Sequence, residues 1–393
     1  MNKHILYLHR TQGRGAEGSH IRGMVDGFRE QGWIVDIVGP PGVDPYRFQT
    51  DQESKTSFLG RLLRWFAERA PQVCFELVEV LYNSVALSRL RKQWKHGKGY
   101  DFIYERYALN SFAGALFASA HKVPLVLEVN DATVIERSRP LVMKRLARRI
   151  ERKVLYRAHL VITITEQFKK LLIEHHDIPS SRIMVLPNAI DPKKYILQKE
   201  KRFQRSKLAI PEDSIVLGCV GAFVQWHGLE FLLETMAPDA RKLNLFFFFI
   251  GDGPVRQKVE TKATVYGVED RLRFSGFVAH DLVPYYLDLV DICVIPQSNA
   301  HCSPMKLFEY LAAGKPVVLP AYQPLLDVVT GDQEGLFFEP GNREELRQVL
   351  LKAIRSPELC KLLGSQGRDQ VGKRFTWQNN AISVTEKISL MNE

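Results

Sequence analysis

Short apolar runs of strand length alternate with helix-like stretches along almost the whole chain. In the first half the runs are His4–Leu8, Ile34–Val38, Phe102–Tyr104, Leu125–Val129 and Leu160–Ile164. The second half repeats the rhythm with Ile215–Val220, Leu245–Ile250, Leu272–Ser275, Ile292–Ile295 and Pro316–Leu319. Such alternation predicts an α/β fold of parallel sheets covered by helices on both faces. At 393 residues the chain exceeds a typical single core, so two domains are expected. The charged run from Gln198 to Arg205 has no apolar face and marks the expected break. Two doubly wound domains joined there would bind ligands at the C-terminal ends of their strands.

Composition narrows the class. Hydrophobic residues make up 45% of the chain and charged residues 25%, as in a folded globular protein. Cys74, Cys219, Cys293, Cys302 and Cys360 are dispersed, which argues for a reducing compartment and against a disulfide framework or a zinc site. The opening apolar run is too short for a signal peptide and reads as a first strand. No run reaches the roughly 20 apolar residues that span a bilayer, so a soluble or peripheral protein is expected. A net charge of +10 points to an anionic partner. Two basic stretches concentrate it, Lys55 to Arg69 with Phe58, Trp65 and Phe66 interleaved, and Lys144 to Arg157. The first resembles an interfacial amphipathic helix, which suggests peripheral contact with an anionic membrane. No nucleic-acid-binding motif accompanies the charge, so nucleic acid is the weaker partner.

The segment from Pro296 to Leu319 carries the most chemistry. It reads as a buried strand, a polar turn, a helix opened by a Ser303 cap and Pro304 in the first turn, a stop at Gly314, and another buried strand. Such a helix start offers free N–H groups and the positive end of a dipole to a diphosphate. Lys306 and Glu309 share one face, placing a cation for phosphate one turn from a carboxylate for sugar hydroxyls. Near the N-terminus, Gly13, Gly15 and Gly18 formally match a dinucleotide fingerprint, with Asp36 ending the second strand as an NAD site requires. An NAD-dependent enzyme is therefore one alternative.

Several segments together resemble family 4 of the retaining glycosyltransferases, which have the GT-B architecture. They are Ala158–Thr165, Ile183–Asp191 with Pro187 and Asn188, Val220–Glu230, Ile250–Pro254, Leu289–Pro296, the E-x7-E-like helix around Glu309, Gly335–Pro340 and Arg374–Trp377. The resemblance covers essentially the whole chain and is weaker over residues 40–100. It implies an N-terminal acceptor-binding Rossmann-like domain over 1–200 and a C-terminal nucleotide-sugar-binding one over 201–375. Residues 376–393 would form a helix packing back toward the N-terminal domain. The implied activity is a hexosyltransferase-like reaction, EC 2.4, with retention. It would move sugar from a nucleoside diphosphate sugar, such as a UDP-sugar, to a glycan or polyprenyl-linked acceptor in envelope or exopolysaccharide synthesis. The enzyme would be cytoplasmic, at the inner face of the cytoplasmic membrane, with no cofactor beyond the donor.

By the same resemblance the donor site comprises Gly15, Asn188, Gly221, His227, Gly253, Ser303, Pro304, Met305, Lys306, Leu307 and Glu309, with Glu309 holding the ribose. Asn130, Asp131, His301 and Lys306 are the candidate catalytic residues, and Glu17, His20 and Arg106 the acceptor contacts. The chain departs from the family at three of its charged positions. His301 replaces the first glutamate of E-x7-E, while Ala222 and His227 replace the phosphate-binding arginine and lysine. A protonated His227 would restore one cation and Lys306 another. Asn130 stands where the family has a histidine and cannot act as a base. A front-face reaction, in which the leaving phosphate takes the acceptor proton, does not require one. A noncatalytic module of the same fold and a sugar-nucleotide epimerase are the remaining alternatives. No HExxH or HxH pattern suggests a metal, and His175–His176 reads as an isolated surface pair.

Overall fold

The structure is a computed structural model. It describes all residues except 1–2, 14, 47–70, 97–98, 136–139, 199, 201 and 393, together with all side chains in the described part but those of 96, 332 and 392. The basic stretch Lys55 to Arg69 lies outside the described residues.

The chain divides into two compact units, Met1–Leu186 with Ala381–Glu393, and Pro187–Asn380. The break precedes the charged run at 198–205 because the intervening residues are tied into the second unit. Ile190 pairs with Thr376, Asn380 donates to the Pro187 carbonyl, and Arg205 bonds the Leu289 carbonyl and Asp291.

The first unit holds β1 (His4–Leu8), α1 (Gly15–Glu30), β2 (Ile34–Val38), α2 (Gln72–His96), β3 (Phe102–Arg106), α3 (Ala113–His121), β4 (Leu125–Val129), α4 (Lys144–Arg157), β5 (Leu160–Thr163), α5 (Glu166–His176) and β6 (Ile183–Val185). Its six-stranded sheet runs β2-β1-β3-β4-β5-β6, all parallel. Strand side chains alternate between faces. Leu6, Leu8, Ile103, Leu125 and Leu127 enter the core beneath α2–α4, whereas Tyr104 and Phe102 meet Phe28 of α1. Buried polar side chains start the helices here. Asn83 accepts from the Phe112 and Ala113 amides, Glu76 from the Val142 and Met143 amides at 2.7 Å each, and Thr165 caps α5.

In the second unit, β7 (Ile215–Ala222), α6 (Leu229–Ala240), β8 (Leu245–Asp252), α7 (Arg256–Val265), β9 (Leu272–Phe274), α8 (Val283–Asp288), β10 (Ile292–Val294), α9 (Met305–Ala312), β11 (Val317–Pro320), α10 (Gln323–Leu326), β12 (Leu336–Phe338), α11 (Arg343–Arg355) and α12 (Pro357–Arg374) follow. Helix α13 (Trp377–Asn392) ends the chain. The sheet order is β12-β11-β10-β7-β8-β9, again parallel. Phe246 to Phe249 are wholly buried, alternately facing its two cores. Each contributes roughly 2–3 kcal/mol of apolar burial. The strand order reverses between β7 and β10 here and between β1 and β3 in the first unit. Doubly wound sheets bind ligands at such points.

His176 is not a surface residue: it is fully buried, with Nε2 donating to Glu151 Oε2 at 2.8 Å. The α9 helix opens at Met305, with Pro304 in extended conformation before it and no side-chain cap from Ser303.

Candidate functional site

In the second unit, loops from β7 and β10 meet at the switch point. A Cβ on Gly228 would lie 2.7 Å from Gln297 Cγ, so only glycine permits the two loops to approach this closely. Gly221 stands at the end of β7, where a Cβ would fall 3.1 Å from His227 Cε1 and 3.4 Å from Lys306 Nζ. This position therefore draws together the glycine, the imidazole and the ammonium. Among the described residues Lys306 makes no ion pair. Burial lowers its ammonium, while Cys219, Glu309 and Cys302 act in the opposite direction.

Burial, reinforced by Lys306, lowers His227 to about 3. It is therefore neutral near pH 7, and the expected histidinium replacing a phosphate cation is not formed by the protein alone. Its Nδ1 is buried without a hydrogen-bond partner in the protein.

Ser303 is occupied otherwise than expected. Its Oγ accepts from the Asn188 amide at 3.2 Å, and Asn188 Nδ2 donates to the Ser303 carbonyl at 2.5 Å. These paired bonds hold the segment leading into α9. Asn299 Oδ1 accepts from the amides of His301 (3.2 Å) and Cys302 (2.8 Å), shaping the turn that carries His301. Glu309 is buried, and His280 Nε2 donates to its Oε1 at 2.7 Å. Leu307 points into the core, and Met305 and Pro304 are half-buried at the helix start. A Cβ on Gly253 would lie 2.4 Å from the Phe223 carbonyl oxygen, so this glycine serves the packing of the β8 loop on the β7 loop.

The first unit gathers polar groups around Glu128, at the end of β4. Parallel register places Arg106 beside it. Its carboxylate accepts from Tyr104 Oη at 2.6 Å, Arg106 at 2.9 Å and Asn130 Nδ2, and pairs with His20 Nε2 at 3.1 Å. Burial pushes Glu128 up, but His20, Arg106, Tyr104 and Asn130 outweigh it and hold its carboxyl below the usual value. Burial drives His20 down to about 4 against the attraction of Glu128.

Nearby, Glu105 is buried with Ser111 Oγ on Oε1 at 3.0 Å, and burial raises it to about 7. Asp131 is half-buried beside Asn130, while Gly15 and Glu17 occupy the exposed first turn of α1. Asp36 is engaged by His4 at 2.9 Å and Tyr100 Oη at 2.7 Å, so it does not serve as the free acid that the dinucleotide alternative needs.

Residues 200–370 match the family described as glycosyl transferases group 1, and residues 15–189 match the glycosyl transferase 4-like domain. The chain belongs to the group 1 glycosyltransferases. An uncharacterised glycosyltransferase of Methanocaldococcus jannaschii is 23% identical over 287 residues, 72% of this chain and 73% of that protein. A glycosyltransferase structure from Rickettsia africae superposes with a TM-score of 0.73 at 14% identity, covering 99% of this chain and 98% of the other. An Anabaena protein crystallised with UDP gives 0.70 at 18%, covering 98% and 99%. The fold of this glycosyltransferase is thus GT-B.

Within the glycosyltransferase, the structure joins Gly221, His227 and Lys306, joins Asn188 with Ser303, and joins His20, Arg106 and Asn130 through Glu128. Leu307 and Gly253 serve packing, and Glu17 is exposed in the first turn of α1. Sequence reasoning gave Glu128, Tyr104, His280 and Glu105 no role in the site. A signal existed for Tyr104, which lies two residues from Arg106 and so on the same strand face. None existed for His280, whose partner lies 29 residues away.

Proposed function

We propose that this glycosyltransferase takes a nucleoside diphosphate sugar, most simply a UDP-sugar, and transfers its hexose with retention to a glycan or lipid-linked acceptor of envelope or exopolysaccharide synthesis, at the cytoplasmic face of the membrane. The observation that carries the donor assignment is the convergence of Lys306, His227 and Gly221 at the start of α9, with Glu309 one turn deeper. A lysine with no ion pair among the described residues suits a diphosphate, whose charge grows as the glycosidic bond breaks. Neutral His227 supplies a hydrogen bond rather than a charge. Glu309, steadied by His280, accepts from ribose hydroxyls. The names of solved neighbours, among them the Anabaena protein with UDP-glucose, favour uridine as the base.

The bond from the anomeric carbon to the phosphate oxygen breaks as the bond to the acceptor oxygen forms on the same face. The acceptor proton passes to the departing phosphate, so Asn130 has only to orient hydroxyls. His301 presents a hydrogen bond to the donor sugar where a carboxylate is usual. His20 and Arg106, both held by Glu128, contact the acceptor.

Thermal-shift titration with UDP-, GDP-, ADP- and dTDP-sugars, followed by donor hydrolysis, tests this reading. A shift with one nucleotide series and slow hydrolysis that Lys306→Ala reduces about a hundredfold or more is expected. Stabilisation by NAD alone, or unchanged turnover in Lys306→Ala, would contradict it.

A further inference from the structure

Helix α2 is apolar on two opposite sides. Its inner side sends Ala86 and Leu90 into the core, and Trp94 packs against Phe117. Its outer side exposes Leu77, Val78, Leu81 and Val85, at 46, 63, 68 and 41% respectively. Their spacing puts them on one helix face, where a surface helix ordinarily carries polar residues. Glu76, on the inner side of α2, ties the N-terminal half of that helix to α4, since its carboxylate accepts from both amides that precede α4. The half of α2 that bears the stripe therefore lies near the start of α4 and near Val142, itself 56% exposed.

From there α4 turns its arginines and lysines outward, including Arg145 and Arg149, while its one acid, Glu151, is buried against Thr133 and His176. Farther along α2 the exposed side chains are again cationic, at Arg91, Lys92 and Lys95. No aspartate or glutamate is exposed on either helix among the described residues.

We propose that this face of α2 and α4 docks on an anionic lipid bilayer, and hence that the acceptor is lipid-anchored. The proposal deepens the acceptor half of the function above and rests on it. Charge selects the occupant. A second copy of the chain would set cations against cations, and a neutral surface would leave them uncompensated. An anionic headgroup layer attracts them while the leucine and valine stripe enters the interface.

Cosedimentation of the full chain with phosphatidylcholine vesicles containing about 30 mol% phosphatidylglycerol, and with phosphatidylcholine alone, provides the test. Binding to the anionic vesicles only, weakened by salt, is expected. Arg145→Gln/Arg149→Gln should weaken it about thirtyfold, near fivefold for each cation. Val78→Glu/Leu81→Glu, at exposed positions that leave folding intact, should abolish it. Donor hydrolysis should be unchanged in both variants, so loss of docking is separable from loss of the donor reaction. Equal binding to both vesicle types, no binding, or binding that neither variant weakens would overturn the proposal. So would a wild-type dimer that the Val78/Leu81 variant dissociates with no effect on vesicles.

Discussion

Glu128 in the first unit and Lys306 in the second both stand near a reversal of strand order, but they are electrostatically opposite. Tyr104, Arg106, His20 and Asn130 surround Glu128, so its charge is spent inside the protein. Lys306 has no ion pair among the described residues and burial lowers its ammonium, so its charge has no partner in the protein and is favoured by an anionic ligand. A charge satisfied internally fixes the positions of its neighbours, whereas an unspent one attracts a ligand. The first arrangement suits aligning an acceptor and the second suits holding an anion.

The contrast can be broken from either side, and the largest effect lies in the first unit. Glu128→Ala removes the acid that pairs Arg106 and His20, leaving a buried cation uncompensated. Chemical denaturation at neutral pH should show a loss of about 3–5 kcal/mol. A loss below about 1 kcal/mol would mean that the cluster does not hold the unit together.

The next effect concerns Glu105. Its carboxyl is raised from 4.5 to about 7, so between those values the folded state binds more protons than the unfolded one. Stability contributed by this group is therefore greatest below about 4.5 and falls as pH rises to about 7, by an amount on the order of 3 kcal/mol. Glu105→Gln should flatten that part of the stability profile, measured by urea titration at pH 5 and pH 8. An unchanged slope would sink the assignment.

A smaller effect is expected at His280. If it positions Glu309 for a ribose, His280→Ala should raise the donor KM roughly tenfold with kcat nearly constant, the sign of lost uniform binding. His280→Gln, which keeps an N–H donor, should recover most of it. A fall in kcat with KM unchanged would contradict a positioning role.

Much of the fold was legible in the sequence because parallel strands buried on both faces are continuous apolar runs. Strands β1, β2 and β4 occupy the expected residues, and α4 spans the basic stretch from Lys144 to Arg157. The edge strands β6 and β12 were not read as strands. Each has three residues, and their pairing with β5 and β11 defines them more than their own composition does.

At the site, the sequence located Lys306 and Glu309 on one short helix, and local spacing suffices for that. It left the state of His227 open, because burial and a lysine 79 residues downstream determine its proton affinity in the protein alone. It also misread Ser303, whose partner Asn188 arrives from a segment 115 residues away. Local pattern thus revealed which residue types were present, and tertiary contacts decided what each was free to do.

The central claim is that Lys306 keeps its charge for a diphosphate. The most direct measurement compares the affinities of nucleoside and nucleoside diphosphate, by calorimetry, in the wild type and in Lys306→Gln. The account predicts that the diphosphate binds the wild type more tightly than the nucleoside does. Lys306→Gln should erase at least about tenfold of that advantage while leaving nucleoside affinity unchanged. An advantage of the same size in both proteins would contradict it.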